Sequence, residues 1–158
     1  MLERARRKLE QELKALEREY RQELPKEIQK AKQMGDLREN AEYQSALERQ
    51  QYVRARIGQL QQQLRNISMI DLDSLPRDRV ALGSRVSVRD QEAGSMLTYE
   101  LVFPDQADFG KGMISVTSPI GRALSGRGVG DEVTVRIPSG TRVYEIVELV
   151  TLHERDER

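Results

Sequence analysis

Two apolar stripes at helical spacing, separated by a stretch long enough only for a turn, constrain this 158-residue chain more than any other feature. Leu9, Leu13, Leu16, Tyr20, Leu24, Ile28 and Ala31 recur every three or four residues, with a slight phase slip after Tyr20. After Gly35 a second stripe runs Tyr43, Ala46, Gln50, Val53, Ile57, Leu60, Leu64 and Ile67, alternating steps of three and four as an a/d seam does. Neither stripe can bury itself, and the few residues around Met34 to Asp36 force them to fold back on each other. The spacing therefore predicts an antiparallel coiled-coil hairpin over residues 1–70, with arms of about 45 to 50 Å at ~1.5 Å per residue. Pro25 is the discordant residue, since it removes a helical hydrogen bond, and a kink is expected there.

The remainder follows a different pattern. Residues 1–70 contain two Gly and one Pro, whereas residues 71–158 contain nine Gly and four Pro. Residues 71–79 read as a linker and 80–158 as a second domain. In that domain, strand-like runs at Ser84 to Arg89, Leu97 to Phe103, Met113 to Thr117, Glu132 to Ile137 and Arg142 to Thr151 predict a small antiparallel sheet. Ser118 and Pro119 read as the cap and first residue of a short helix. The fold class is α+β.

Charge divides along the same line. The chain carries 26 basic and 26 acidic residues, but residues 1–70 hold 15 basic and 11 acidic, and the rest hold 11 and 15. The neutral sum conceals a dipole. There is no Cys, which excludes a disulfide framework, a thiol nucleophile and a thiolate metal site, and makes the cytoplasm the simpler expectation. The single His153 cannot build a histidine-ligated metal centre. No apolar run approaches the roughly 18 residues of a membrane span, so no membrane partner is expected.

The turn between the stripes carries the most distinctive chemistry: Gly35-Asp36-Leu37-Arg38-Glu39-Asn40-Ala41-Glu42-Tyr43. Asp36 and Glu39 stand three apart at what the pattern makes the start of the second helix. One reading is structural, with Gly35 ending the first helix, Asp36 capping the second and Glu39 completing a capping box. The other places both carboxylates on one face of an exposed tip, where they could hold a divalent cation. Mg²⁺ takes about six oxygen ligands, usually one or two carboxylates with water and phosphate oxygens, so such a tip would bind it weakly alone. It becomes competent where another molecule supplies the remaining ligands. Lys30, Lys32, Arg38, Arg49, Arg54 and Arg56 on the arms either attract a phosphate backbone or are solvated flanking positions interleaved with Glu.

The string from Gly35 to Tyr43 resembles the tip signature of the bacterial Gre-type transcript cleavage factors, in their GreA branch. Ala107-Asp108-Phe109, the run from Ile114 to Leu124, Gly130 to Val135 and Pro138-Ser139-Gly140 resemble that family's C-terminal signatures in the same order. The resemblance implies a coiled-coil hairpin followed by an FKBP-like domain. It implies a monomer bound to RNA polymerase, with the hairpin in the secondary channel near the nascent RNA 3′ end. By residue match, Asp36 and Glu39 are the carboxylates that share a catalytic Mg²⁺ with the polymerase, which then cuts its own backtracked RNA. No ion is expected to bind the chain stably alone, and the chain is not expected to be an enzyme by itself.

Arg38, Asn40 and Tyr43 belong to the same signature as tip-supporting positions, Tyr43 being also the first rung of the seam. Thr117, Ser118 and Pro119 match the loop by which the family grips the polymerase. The signature at the amino terminus departs, since Met1-Leu2-Glu3-Arg4 enters the helix almost at once, and no RNA-contacting basic residue can be matched position by position. The principal alternative is a non-catalytic occupant of the same channel that regulates or inhibits polymerase. A prolyl isomerase is disfavoured because residues 80–158 offer only Tyr99, Phe103, Phe109 and Tyr144 for an aromatic pocket. A scaffold without chemistry leaves the acidic tip unexplained.

Overall fold

The seam residues sit where their periodicity puts them. In a computed structural model that describes residues 2–36 and 40–157, Leu2–Arg18 form α1, Leu24–Lys32 form α2 and Ala41–Ser68 form α3. Every seam position of α3 from Tyr43 to Ile67 is buried or half-buried, and Val53 and Leu60 are fully inaccessible. The chain divides into two compact units, Leu2–Ile70 and Asp71–Arg158.

The kink expected at Pro25 takes a different form. Between α1 and α2, Glu19–Glu23 adopt a π-helical turn, and the Leu24 N–H donates to the Glu19 carbonyl five residues back. The first arm therefore stays helical through the proline. A proline ring collides with the carbonyl four residues earlier, here Arg21, and a wider turn relieves that collision. The same turn absorbs the phase slip. Leu16, Tyr20, Leu24 and Ile28 are spaced by four, wider than the 3.6 of an α-helix. One extra residue in the turn brings Leu24, fully buried, and Ala31 back onto the seam.

Two bidentate ion pairs record the antiparallel register. Arg49 donates to both carboxylate oxygens of Glu19 at 2.6 and 2.8 Å, and Arg56 to both of Glu12 at 2.9 and 3.1 Å. One heptad forward on α3 corresponds to one heptad backward on the first arm, as a hairpin requires. Hydrogen bonding from these guanidiniums holds the Glu19 and Glu12 carboxyls below the usual carboxylate range. Two of the six basic residues weighed for phosphate attraction are thus engaged within the hairpin itself.

In the second unit β1 (Arg85–Asp90), β2 (Met96–Val102), β3 (Met113–Ser115), β4 (Glu132–Ile137) and β5 (Gly140–Val150) form one sheet in the order β3-β2-β1-β5-β4. The expectation of an antiparallel sheet holds for three of the four pairings and fails at the edge, where β3 runs parallel to β2. Two 3₁₀ turns, Pro104–Gln106 and Phe109–Lys111, occupy the connection that carries the chain across for this parallel pairing. Val86, Val88, Leu101, Ile114, Val133, Val135 and Ile146 fill the core, joined by Ile120 and Leu124 of α4 (Pro119–Leu124).

A closing helix, α5 (Leu152–Glu157), has no counterpart in the sequence reading. Its short, mostly charged run carries no periodic signal, yet its side chains reach inward. His153 Nε2 lies 2.8 Å from the Leu75 carbonyl, to which it donates, and Arg155 bonds the Gly83 carbonyl at 2.7 Å and Glu100 at 2.8 Å.

Leu60→Ala is expected to destabilise the hairpin by about 2 to 4 kcal/mol, the usual cost of emptying a fully buried leucine site. Thermal melting followed by circular dichroism checks it, with exposed Gln61→Ala as the neutral control. A second expectation concerns Tyr99, whose phenol is raised from 10.0 to about 12 by burial and then by the neighbouring Tyr144. A raised folded pKa favours the neutral phenol, so its contribution is complete below pH 10 and is lost as pH rises through about 12. Ultraviolet difference titration of the wild type beside Tyr99→Phe should show the last phenol to ionise missing from the variant.

Candidate functional site at the hairpin tip

The tip is built from two helix ends. A helix leaves its last four carbonyls and first four N–H groups without intrahelical partners, and a turn between helices must find partners for both sets. Asn40 serves both. Its Oδ1 accepts from the Tyr43 N–H at 3.1 Å, capping α3, and its Nδ2 donates to the Ala31 carbonyl in the last turn of α2 at 2.6 Å.

This geometry corrects the assignment of Asp36 as the cap of the second helix. The helix begins at Ala41, so Asp36 lies outside it; the expected pairing of Asp36 with Glu39 on one face involves a residue outside the described ones. The Asp-x-x-Glu spacing imitates a capping box, while the true cap is an asparagine, an equally good capping residue, one position before the helix. Asp36 is exposed and lines an open concavity of about 470 Å³ together with Met34, Asn40, Ala41 and Glu42. Leu37, Arg38 and Glu39 lie outside the described residues. Tyr43 is half-buried, as the first rung of the seam requires.

Gly35 makes the turn possible. Its φ of +137° lies beyond the left-handed helical region, in territory open essentially to glycine alone, although a Cβ there would meet no other atom. The expected left-handed helix end is thus realised as a more extended positive-φ residue.

A second cluster lies in the sheet unit. Ser118 accepts from the Gly121 N–H at 3.1 Å and donates to the Ser115 carbonyl at 2.7 Å, so it caps α4 with Pro119 at its first position, as expected. Thr117 and Ser115 join hydroxyls at 2.8 Å, and Thr117 and Pro119 are exposed. Beside this turn an apolar groove of about 340 Å³ is lined by Phe109, Met113, Ile120, Ile137 and Pro138 among others. Sequence reading did not foresee the groove, because it joins residues from separate turns and strands.

With the geometry in place, the comparisons decide the lineage. Residues 1–69 match the family model described as "Transcription elongation factor, N-terminal", and residues 75–150 the one described as "Transcription elongation factor, GreA/GreB, C-term". The chain belongs to the GreA/GreB transcription elongation factor family. It is 43% identical over 144 residues to the transcription elongation factor GreA of Pseudomonas aeruginosa, covering 90% of this chain and 91% of that one. It is 46% identical over 139 residues to that of Desulfovibrio desulfuricans, covering 88% and 85%. Among solved structures, a crystal structure of the GreA factor homolog 1 (Gfh1) protein of Thermus thermophilus aligns at 29% identity over 94% of both chains, with a TM-score of 0.43.

Gly121 supplies a sharp test of the Ser-Pro turn. A Cβ there would fall on the Ser115 carbonyl oxygen. Gly121→Ala should therefore destabilise the sheet unit by about 1 to 3 kcal/mol through overpacking. Gly35→Ala should cost a similar amount through backbone strain confined to the tip. Hydrogen exchange separates the two, with the loss of protection falling in residues 113–125 in one case and 31–44 in the other.

Proposed function

We propose that this elongation factor stimulates RNA polymerase to cleave its own backtracked transcript, by presenting Asp36 and Glu39 from the hairpin tip within the secondary channel. The observation that carries the proposal is an exposed carboxylate, Asp36, in the turn of a helical hairpin whose arms are locked by two bidentate ion pairs and by Asn40.

The donor chemistry suits Mg²⁺. A hard cation takes one or two protein carboxylates and fills its shell with water and phosphate oxygens, and here Asp36 with Glu39 would be that pair, the polymerase and RNA supplying the rest. Bound there, the ion supplies charge neutralisation and a water made acidic enough to act near neutral pH. The contribution of this chain is placement. Seam burial keeps the arms paired, the Arg49–Glu19 and Arg56–Glu12 pairs fix their register, and the turn leaves Asp36 exposed to solvent. The catalytic centre remains the polymerase's, and the factor acts in the cytoplasm as a monomer.

Docking falls to the sheet unit. Thr117 and Pro119 are exposed on a turn held by Ser118, beside an apolar groove, and together they offer a rigid surface for the channel rim of the polymerase.

The deciding experiment adds purified protein and Mg²⁺ to stalled elongation complexes and follows RNA length. Wild type should shorten backtracked RNA, and Asp36→Ala with Glu39→Ala should lower the cleavage rate at least about 100-fold, several kcal/mol of lost charge stabilisation, without unfolding. Thr117→Ala with Pro119→Ala should instead weaken binding and be overcome by excess protein. Undiminished cleavage by the tip double variant would defeat the proposal. Slowed nucleotide addition without cleavage by wild type would select the non-catalytic channel occupant.

A further inference from the structure

We infer that Asn40 is the positioning residue of the tip, and that its amide donor, separately from its capping oxygen, sets where Asp36 is held. The inference rests on the function proposed above. A capping oxygen alone would organise α3, a task that Ser, Thr or Asp performs equally well. Only Asn, among the good caps, also carries an N–H pair on the same short side chain. Here that second hand is used: Nδ2 reaches the Ala31 carbonyl nine residues back at 2.6 Å while Oδ1 holds the Tyr43 N–H.

The bridge has a consequence for the turn. Ala31 and Asn40 are the two ends of the segment that contains Asp36, and the amide ties them together directly. Within that segment the Met34 N–H donates to the same Ala31 carbonyl at 3.1 Å, so one oxygen gathers the start of the turn and its end. Asn40 is half-buried whereas Asp36 is exposed, and the two line the same concavity at the tip. The Arg–Glu pairs cannot substitute, since the nearer of them joins Arg49 to Glu19, at least nine positions from Asn40 along α3.

The two functions of the amide can be separated by substitution. Asn40→Ala removes both. Asn40→Ser keeps a capping oxygen and lacks the reach and the N–H to hold Ala31. If the residue only caps, Asn40→Ser behaves as wild type. If it positions the tip, Asn40→Ser keeps the helical circular dichroism and the affinity for polymerase, and lowers the thermal midpoint by no more than the loss of one hydrogen bond does. Amide exchange at residues 33–36 then quickens, and the Mg²⁺ concentration for half-maximal cleavage rises by about two- to tenfold, the range set by one net hydrogen bond.

The chain through which it acts is tested by a cycle with Asp36→Asn. A residue that works through Asp36 adds little once that carboxylate is gone, so the two effects on Mg²⁺ dependence should be far from additive. Unchanged exchange and Mg²⁺ dependence in Asn40→Ser, or full additivity with Asp36→Asn, overturn the inference while leaving the proposed function intact. Wild-type cleavage by the Asp36 and Glu39 double variant overturns the proposed function instead, and exchange in Asn40→Ser still reports on the bridge.

Discussion

The pairing of two helices that cannot stand alone is the constraint on which the tip depends. An isolated helix exposes its apolar stripe, and its stability in water is marginal at best. Back to back, the arms bury Leu24, Val53 and Leu60 completely, and Arg49–Glu19 and Arg56–Glu12 select one register among the several that a repetitive seam permits. These ion pairs are partly exposed and contribute more to register than to stability. Slippage by one heptad would leave a single Arg–Glu pair in place of two, Arg56 with Glu19 or Arg49 with Glu12, and would misalign the helix ends that Asn40 joins.

Pro25 and the slip in the first stripe looked like two separate irregularities and have one solution. The π-turn at Glu19–Glu23 inserts the residue that a run of four-residue spacings requires, and it removes the clash that the proline would otherwise cause. Glu19 opens that turn and is also the partner of Arg49. The irregular turn is thereby anchored to the opposite arm. In the sheet unit Ser118 is economical in a similar way, capping α4 while fixing the turn that carries Thr117 and Pro119.

Periodic features were legible in advance. The seam, the hairpin, the five strands and the Ser118 cap follow from spacing and from residues whose local preferences agree with their surroundings. The failures cluster where competing partners were equally acceptable. Asp36 and Asn40 are both good caps, and choosing between them depends on which one faces the Ala31 carbonyl on the other arm. The parallel edge pairing of β3, the inward reach of His153 and Arg155 from α5, and the groove beside Ser118 likewise join residues distant in sequence. Asp36 stands out by its motif alone, and the structure puts it outside the helix that the motif suggests it caps.

The sequence by itself determined that this chain makes a helical hairpin with an acidic turn and a separate small sheet, because burial periodicity and turn chemistry are local properties of the residues. Its motifs also carried the lineage. Only the tertiary structure decided which residue ends the turn, how Pro25 is tolerated and which arginines are committed to pairing. Each of those outcomes is a choice among nearly equal local options, and the difference comes from an atom on another part of the fold: a carbonyl at Ala31, a carboxylate at Glu19, a carboxylate at Glu12.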